Sequence, residues 1–265
     1  MSKQWKELTF TQLQPLHIGM GNYGVMSPTR LFITGYTMWG ALTAGLGRLL
    51  DKTEEQLEID PFTEISNFYP VIGDCAILFP YFKEGELYYG KYSEKQFRYE
   101  FTDTIMSTSI LPENQSAKDQ GLHEIEILLP ASKKNSARLS WKGILKIEKE
   151  KQADDYLKEG MTIIVGGEAG YGFGMLKLQT SELVNNRPKW NLSNNGSGFD
   201  IDKNVPIVHF SEGFNVLKGI QSPWYEIQKD KDFKANLKMV WHPGSITAES
   251  VKNSVTLKKG LLSKS

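Results

Sequence analysis

Hydrophobic and polar positions alternate from the start of the chain. In WKELTFTQLQPLHI the pattern places Leu8, Phe10 and Leu13 in a strand that Pro15 ends or bends. A polar, glycine-bearing loop follows, GMGNYGVMSPTR. The period then changes. In TMWGALTAGLGRLL, Leu42, Leu46, Leu49 and Leu50 recur at helical spacing, while Gly40, Ala41, Ala44, Gly45 and Gly47 keep the opposite surface small. A glycine inside a helix costs about 1 kcal/mol relative to alanine. Three of them predict a helix whose backbone packs closely against a sheet, with Trp39 in the core.

Farther on, KTEEQLEID reads as a short solvated helix or turn. NFYPVIGDCAILFPYF holds two aromatic–proline steps and a GD turn, and its apolar run CAILF suits a buried strand; GELYYGKY is its hairpin partner. From Gln96 to Ser109 the alternation is loose, and LPENQSAKD is a loop by composition. GLHEIEILLP and ARLSWKGILKIE are strands joined by the turn ASKKNS, and KQADDYLKEG is an amphipathic stretch stopped by Gly160. The strands MTIIV and MLKLQTSEL enclose GGEAGYGFG. Residues 184–204 are Asn-, Gly- and Ser-rich and read as a long surface loop. VPIVHF, ANLKMVWHPGSI and SVTLKKGLL are strand-like. The order of elements predicts an α+β fold, with two ferredoxin-like halves as one form of it. A first unit covers 1–183, and a strand-rich extension, 205–265, completes the fold.

Composition narrows the function. The chain has 265 residues, and its 31 basic residues balance 31 acidic ones. No overall field attracts nucleic acid, which counts against a free-standing DNA or RNA binder but less against a subunit with a small binding groove. Cys75 is the only cysteine, excluding an internal disulfide and any cysteine-cluster metal site. His209 and His242 have no carboxylate or cysteine at ligand spacing, so neither metal nor cofactor is expected. The start lacks an apolar signal region, and no run approaches membrane-spanning length, which predicts a cytoplasmic protein without a membrane partner.

GGEAGYGFG packs five glycines and two aromatics into nine residues. A nucleotide-binding P-loop needs Lys and then Ser or Thr after its last glycine, but Met175 and Leu176 follow Gly174. A dinucleotide fingerprint needs a helix next, whereas MLKLQTSEL alternates as a strand. What remains is a glycine-rich turn between strands, either purely structural or a surface that a nucleic-acid backbone can approach. Tyr171 and Phe173 alternate around Gly172, one able to face the core and the other a base. Arg30 and Arg98 are either ordinary surface charges or phosphate ligands. His17 is either a packing residue or a base-stacking or acid–base group, and His123 faces solvent.

The pairing of LHIGMGNYG with GGEAGYGFG resembles the RAMP superfamily of CRISPR-associated proteins. LFITGYTMWGALTAGLGRLL is similar to the turn and first helix of those families, and GLHEIEILLPAS to the strand after their thumb-like insertion. ISNFYPVIGDCAILFPYF resembles the segment of the subunit that caps the 5′ end of the guide RNA in type III effectors. The resemblance implies a ferredoxin-like RNA-recognition fold with a thumb-like insertion around 96–120. Its RNA contacts would be His17, Gly19, Gly21, Asn22, Tyr23, Arg30 and Arg98, with Gly166, Gly167, Tyr171, Gly172, Phe173 and Gly174 of the late loop. Partners would be the CRISPR guide RNA, a backbone RAMP subunit and the large subunit, with target RNA nearby. A capping subunit is not an enzyme. A backbone nuclease would instead carry a catalytic Asp in the thumb, with Asp103 and Asp119 as candidates, and a guide-processing ribonuclease would rely on His17. The late loop carries Glu168 and no basic residue before Lys177, unlike many members.

Overall fold

The computed structural model describes residues 3–52, 60–73, 75–113, 115–148, 152–228, 234–252 and 254–264. Up to the glycine-rich turn the elements are β1 (Lys3–Gln12), β2 (Met26–Ser27), α1 (Gly35–Leu50), β3 (Tyr69–Ile72), β4 (Pro80–Lys83), β5 (Glu86–Tyr89) and β6 (Tyr92–Ser93). They continue with α2 (Glu94–Phe101), β7 (Thr102–Ile110), β8 (Ala117–Leu128), β9 (Leu139–Glu148), α3 (Gln152–Tyr156), β10 (Thr162–Ile164) and β11 (Met175–Leu183).

The main sheet has the order β10-β11-β1-β9-β3, and every neighbouring pair is antiparallel. Without the edge strand β10 this is the ferredoxin-like order, with α1 and α3 as the two connecting helices. Alternation along β1 sorts its neighbours, because successive side chains point to opposite faces. Lys6 pairs with Asp154 of α3 on the helical side. On the other side, Trp5 donates to the Gly196 carbonyl and stacks edge-on with Phe199, while Glu7 accepts from the Trp190 indole at 3.0 Å. Leu8 and Phe10 are fully buried, as their alternation requires, but Leu13 lies beyond the strand and is exposed.

Helix α1 starts where Thr34 accepts a hydrogen bond from the Thr37 amide at 3.1 Å, and ends at Asp51 in a left-handed conformation. Its glycines have separate roles rather than one shared contact with a sheet. A Cβ on Gly45 would run into the Tyr156 hydroxyl of α3, one on Gly47 would meet the Lys52 carbonyl at 2.6 Å, and one on Gly40 would meet nothing. Leu42 and Leu46 are buried with Trp39, whereas Leu49 is exposed.

Residues 73–138 are inserted between β3 and β9. They hold the meander β4-β5-β6, then α2, then the long hairpin β7–β8, against which β2 lies in parallel. Two expectations fail here. CAILF is irregular, with Cys75 exposed and only Leu78 buried, because YPVI, six residues earlier, takes the place beside β9. The loosely patterned window from Gln96 begins inside a helix, α2, started by a Ser93–Gln96 capping box at 3.2 and 3.0 Å. The strands on either side of ASKKNS belong to different sheets, since β8 pairs with β7 and β9 with β1. KTEEQLEID falls mostly on 53–59, outside the described residues.

The remaining chain forms β12 (Asp200–Ile201), β13 (Phe210–Glu212), β14 (Val216–Lys218), β15 (Gln221–Gln228), β16 (Lys234–Trp241), β17 (Ile246–Thr247), β18 (Val251–Lys252), β19 (Val255–Lys258) and β20 (Leu261–Lys264). A second sheet has the order β15-β16-β13-β20-β19, with β13 and β20 parallel. Among the described residues no α-helix follows Tyr156, so this part is not a second ferredoxin unit. VPIVHF enters the ladder only at Phe210. The segment 184–204 is no surface loop. Trp190, Leu192, Phe199 and Ile201 are buried from it against the sheet, and the Asn191 side chain serves the Val208 amide at 2.8 Å.

Asn67 joins the two parts. Its carbonyl accepts from the Gly35 amide at 2.8 Å, and its amide donates to the Gly260 carbonyl at 3.2 Å. Lys259 and Gly260 in turn donate to the carbonyls of Thr63 and Ile65.

Candidate functional site

The glycine-rich turn lies between β10 and β11 and is fastened to the chain leaving β1. The Gly167 amide donates to the His17 carbonyl at 2.9 Å, and the Gly174 amide to the Pro15 carbonyl at 2.8 Å. A Cβ on Gly166 would stand 2.3 Å from that same His17 oxygen, so only a bare backbone permits this approach. Gly170 and Gly172 differ, since nothing lies within 4 Å of where their side chains would be. The turn thus has a packed edge and an open edge.

On the open edge Tyr171 is 51% exposed and stacks on Phe173 at 5.9 Å. Phe173 is buried against Ile125 and Ile127 of β8. The alternation around Gly172 is therefore resolved with Phe173 inward and Tyr171 outward. The Tyr171 hydroxyl stands 3.5 Å from both Ser107 Oγ and His123 Nε2 on the hairpin β7–β8, so His123 is partly covered rather than free in solvent.

The loop after β1 forms an arm along the same hairpin. Tyr23 and Met26 exchange backbone hydrogen bonds, the Ser27 hydroxyl donates to Asn22 at 2.7 Å, and Tyr23 projects into solvent. Gly21 sits in this turn with open space beside it. The arm, α2 and the hairpin meet at one buried carboxylate, which sequence reasoning had not singled out. Glu126 accepts from the Thr29 amide at 2.9 Å, from Thr102 at 3.2 Å and from Arg98 at 2.7 Å, and its carbonyl is 2.8 Å from His17 Nδ1.

Arg98, expected as either a surface charge or a phosphate ligand, is engaged inside this junction. Its guanidinium is held by Glu126 and, four residues back, by Glu94 at 2.9 Å, and it also donates to the Thr29 carbonyl. Burial alone would lower its pKa, but the two carboxylates raise it above the ordinary value. His17 is buried and packs at this junction. Removing one member of a largely buried ion pair leaves the other unmatched. Glu126→Ala is expected to destabilise the fold by about 3 kcal/mol, while Glu126→Gln, which keeps one acceptor oxygen for the Thr29 amide, loses less. Urea unfolding of the two variants measures the difference, and equal losses would show that the charge carries the whole effect and the retained acceptor none of it.

Arg30 has a different setting. Its guanidinium lies over the Phe210 ring at 5.7 Å, and no carboxylate pairs with it among the described residues. Burial draws its pKa below the ordinary value. It opens into a groove of about 340 Å³ between the two parts of the molecule. One wall is the start of α1, with Thr34, Tyr36 and Thr37; the floor is Gly19, Gly166 and Gly167. Phe210, Trp224 and Tyr225 of the second part also line it, with Trp224 edge-on to Tyr36 at 6.3 Å. Gly19, Arg30, Gly166 and Gly167 were expected at a site from sequence; the residues from 210–225 were not. Near the groove, the Lys259 ammonium covers Trp39 at 3.1 Å and Tyr36 at 5.5 Å.

His209 and His242 are buried among aromatic rings, and no group of three His, Cys, Asp or Glu among the described residues could hold a metal ion. No described helix is long and apolar enough to cross a membrane.

No protein-family model matches the chain, and no curated protein matches it by sequence. Its shape is similar to solved structures. One is a chain of the Type III-B Cmr-beta complex bound to cognate target RNA and AMPPnP, with a TM-score of 0.64, 14% identity, and coverage of 98% of this chain and 99% of that one. Another is a chain of Type III-B Cmr-beta bound to cognate target RNA, with a TM-score of 0.62, 15% identity, and coverage of 91% and 86%. At these identities the similarity is one of fold: α+β, ferredoxin-like, with a thumb-like hairpin and a glycine-rich loop.

Proposed function

We propose that the chain is a subunit of a type III CRISPR effector ribonucleoprotein and binds its guide RNA. The observation that carries this reading is the groove in which Arg30, with no carboxylate paired to it among the described residues, lies beside Gly166 and Gly167 of the glycine turn. Single-stranded RNA is bound by stacking its bases on aromatics while amides and guanidinium groups hold its phosphates. Similarity of nearly the whole chain to Cmr-beta chains seen with target RNA supports the same assignment. The finer reading is that the subunit caps the 5′ handle of the guide and docks between a backbone subunit and the large subunit. It rests on the aromatic–proline segment around β3 and β4.

Gly172 has φ of 80° and open space beside it. Asp tolerates that conformation better than most residues, so Gly172→Asp folds while placing a carboxylate where phosphate would pass. Guide-RNA affinity is expected to fall about tenfold, measured by titration of a labelled handle RNA with thermal melting as the fold control. Unchanged affinity in the folded variant would remove the turn from the site.

We also propose that the chain is not itself the nuclease. Asp103 sits at the base of the hairpin, paired with Ile127, and its carboxylate accepts from the neighbouring Thr104 amide. Asp103→Ala and Asp119→Ala are expected to leave target-RNA cleavage by the assembled complex unchanged. Lost cleavage in either variant with normal assembly would favour a backbone-nuclease role.

A further inference from the structure

The strand pair β15–β16 is apolar on both faces. Alternation sends Ser222, Trp224 and Val240 inward, where they are buried, and Trp224 meets the Phe210 ring at 5.2 Å. Gln221, Pro223 and Tyr225 of β15 pair with Trp241, Met239 and Leu237 of β16 and share the outer face. An antiparallel sheet with one face on the core ordinarily turns polar residues to water on the other. Here none of these outer side chains is charged, and Tyr225, Leu237 and Met239 are 58%, 60% and 53% exposed. The nearest charge along β16, Lys238, points to the inner face and pairs with Glu212 at 2.7 Å.

Area, charge and the sheet edge decide what covers this face. The three exposed side chains leave on the order of 300 Å² of apolar surface uncovered, against the roughly 800 Å² that each copy brings to a stable dimer. A second copy gains too little here. An RNA strand finds no cation on this face for its phosphates. In the sheet order β15-β16-β13-β20-β19, β15 is the edge, and Pro223 within it has no N–H to offer an added strand. What fits is the apolar face of another protein, laid across the side chains and held to this chain by a second tether. Pro223 and Tyr225 also border the groove that holds Arg30, so RNA in that groove would supply the tether beside the stripe.

Resting on the ribonucleoprotein reading above, we infer that the outer face of β15–β16 docks a neighbouring protein subunit of the complex. The contact is apolar, and RNA shared by the two subunits strengthens it.

The test uses the full chain, a labelled handle RNA, and the complex reconstituted with its other subunits. Leu237→Arg puts a charge on a side chain already in water, so the isolated variant should fold and bind RNA as the wild type does. Its incorporation into the complex should fall about tenfold. Leu237→Ser, which removes only apolar area, should reduce incorporation less. In the wild-type complex peroxide should oxidise Met239 more slowly than in the free chain, because exposure governs attack on the thioether. If the wild type binds RNA and enters the complex, and Leu237→Arg does both equally well with Met239 oxidised at the same rate in complex and free chain, the docking face alone is overturned. If the wild type neither binds RNA nor enters the complex, the ribonucleoprotein reading and the docking face fall together. Weakened RNA binding by isolated Leu237→Arg would assign the stripe to the RNA site, and a wild-type dimer dissociated by Leu237→Arg would assign it to a second copy. Either result overturns the inference.

Discussion

Lowering the pH from 6.5 to 4 is expected to remove about 5 kcal/mol of unfolding free energy through two buried imidazoles. Burial pushes both His209 and His242 down to about 4. The bond from His209 Nε2 to the Trp190 carbonyl opposes this only in part, and for His242 the nearby Arg30 adds to it. His209 Nδ1 is buried without a partner among the described residues, so a second proton there would have nowhere to donate. The sign follows from proton uptake. Between these values the unfolded chain binds protons that the folded chain refuses, so stability is full above about pH 6.5 and falls as the pH drops toward 4. Urea unfolding across this range measures the loss, and His209→Gln should flatten the slope by about half. A wild-type change under about 1 kcal/mol would mean that the imidazoles are not held neutral.

Gly260→Ala is expected to cost about 4 kcal/mol, a large part of the stability of an ordinary domain. Gly260 has φ of 89°, and a Cβ there would lie 2.4 Å from Asn67 Oδ1 and 2.8 Å from the Gly35 nitrogen. Both neighbours are fixed, since Asn67 bonds to Gly35 and Gly260 at once. The methyl group must therefore displace either the start of α1 or the turn before β20. Chemical denaturation checks the loss. If Gly260→Ala matches the wild type, the two parts are not joined as tightly as described.

Local chemistry made much of the first unit legible. The alternation of Leu8 and Phe10 gave β1, the Gly-Ala pattern gave α1, and the missing Lys after Gly174 ruled out a phosphate loop. The failures came from long-range contacts. CAILF and YPVI have nearly the same apolar content, and only pairing with β9 decides between them. In 184–204 the Asn and Ser residues that suggest a loop instead satisfy buried backbone, as Asn191 does for Val208, which lets Trp190 and Phe199 pack inside. Arg98 could be matched with Glu94 from their spacing of four. Its stronger partner, Glu126, is 28 positions away. The aromatic lining of the groove comes from strands about 200 positions after Arg30 and leaves no local trace.

The knot of Gly35, Asn67 and Gly260 also bears on biosynthesis. The ribosome delivers residue 35 long before residue 260, and contacts so distant in sequence are slow to form because a long loop must close first. While the chain is still being translated, the nascent first sheet has the Asn67 amide and the carbonyls of Thr63 and Ile65 without their bonds to residues 259 and 260. Closure waits for the last hairpin to emerge. A translational pause between the codons for residues 67 and 260 would lengthen that exposure.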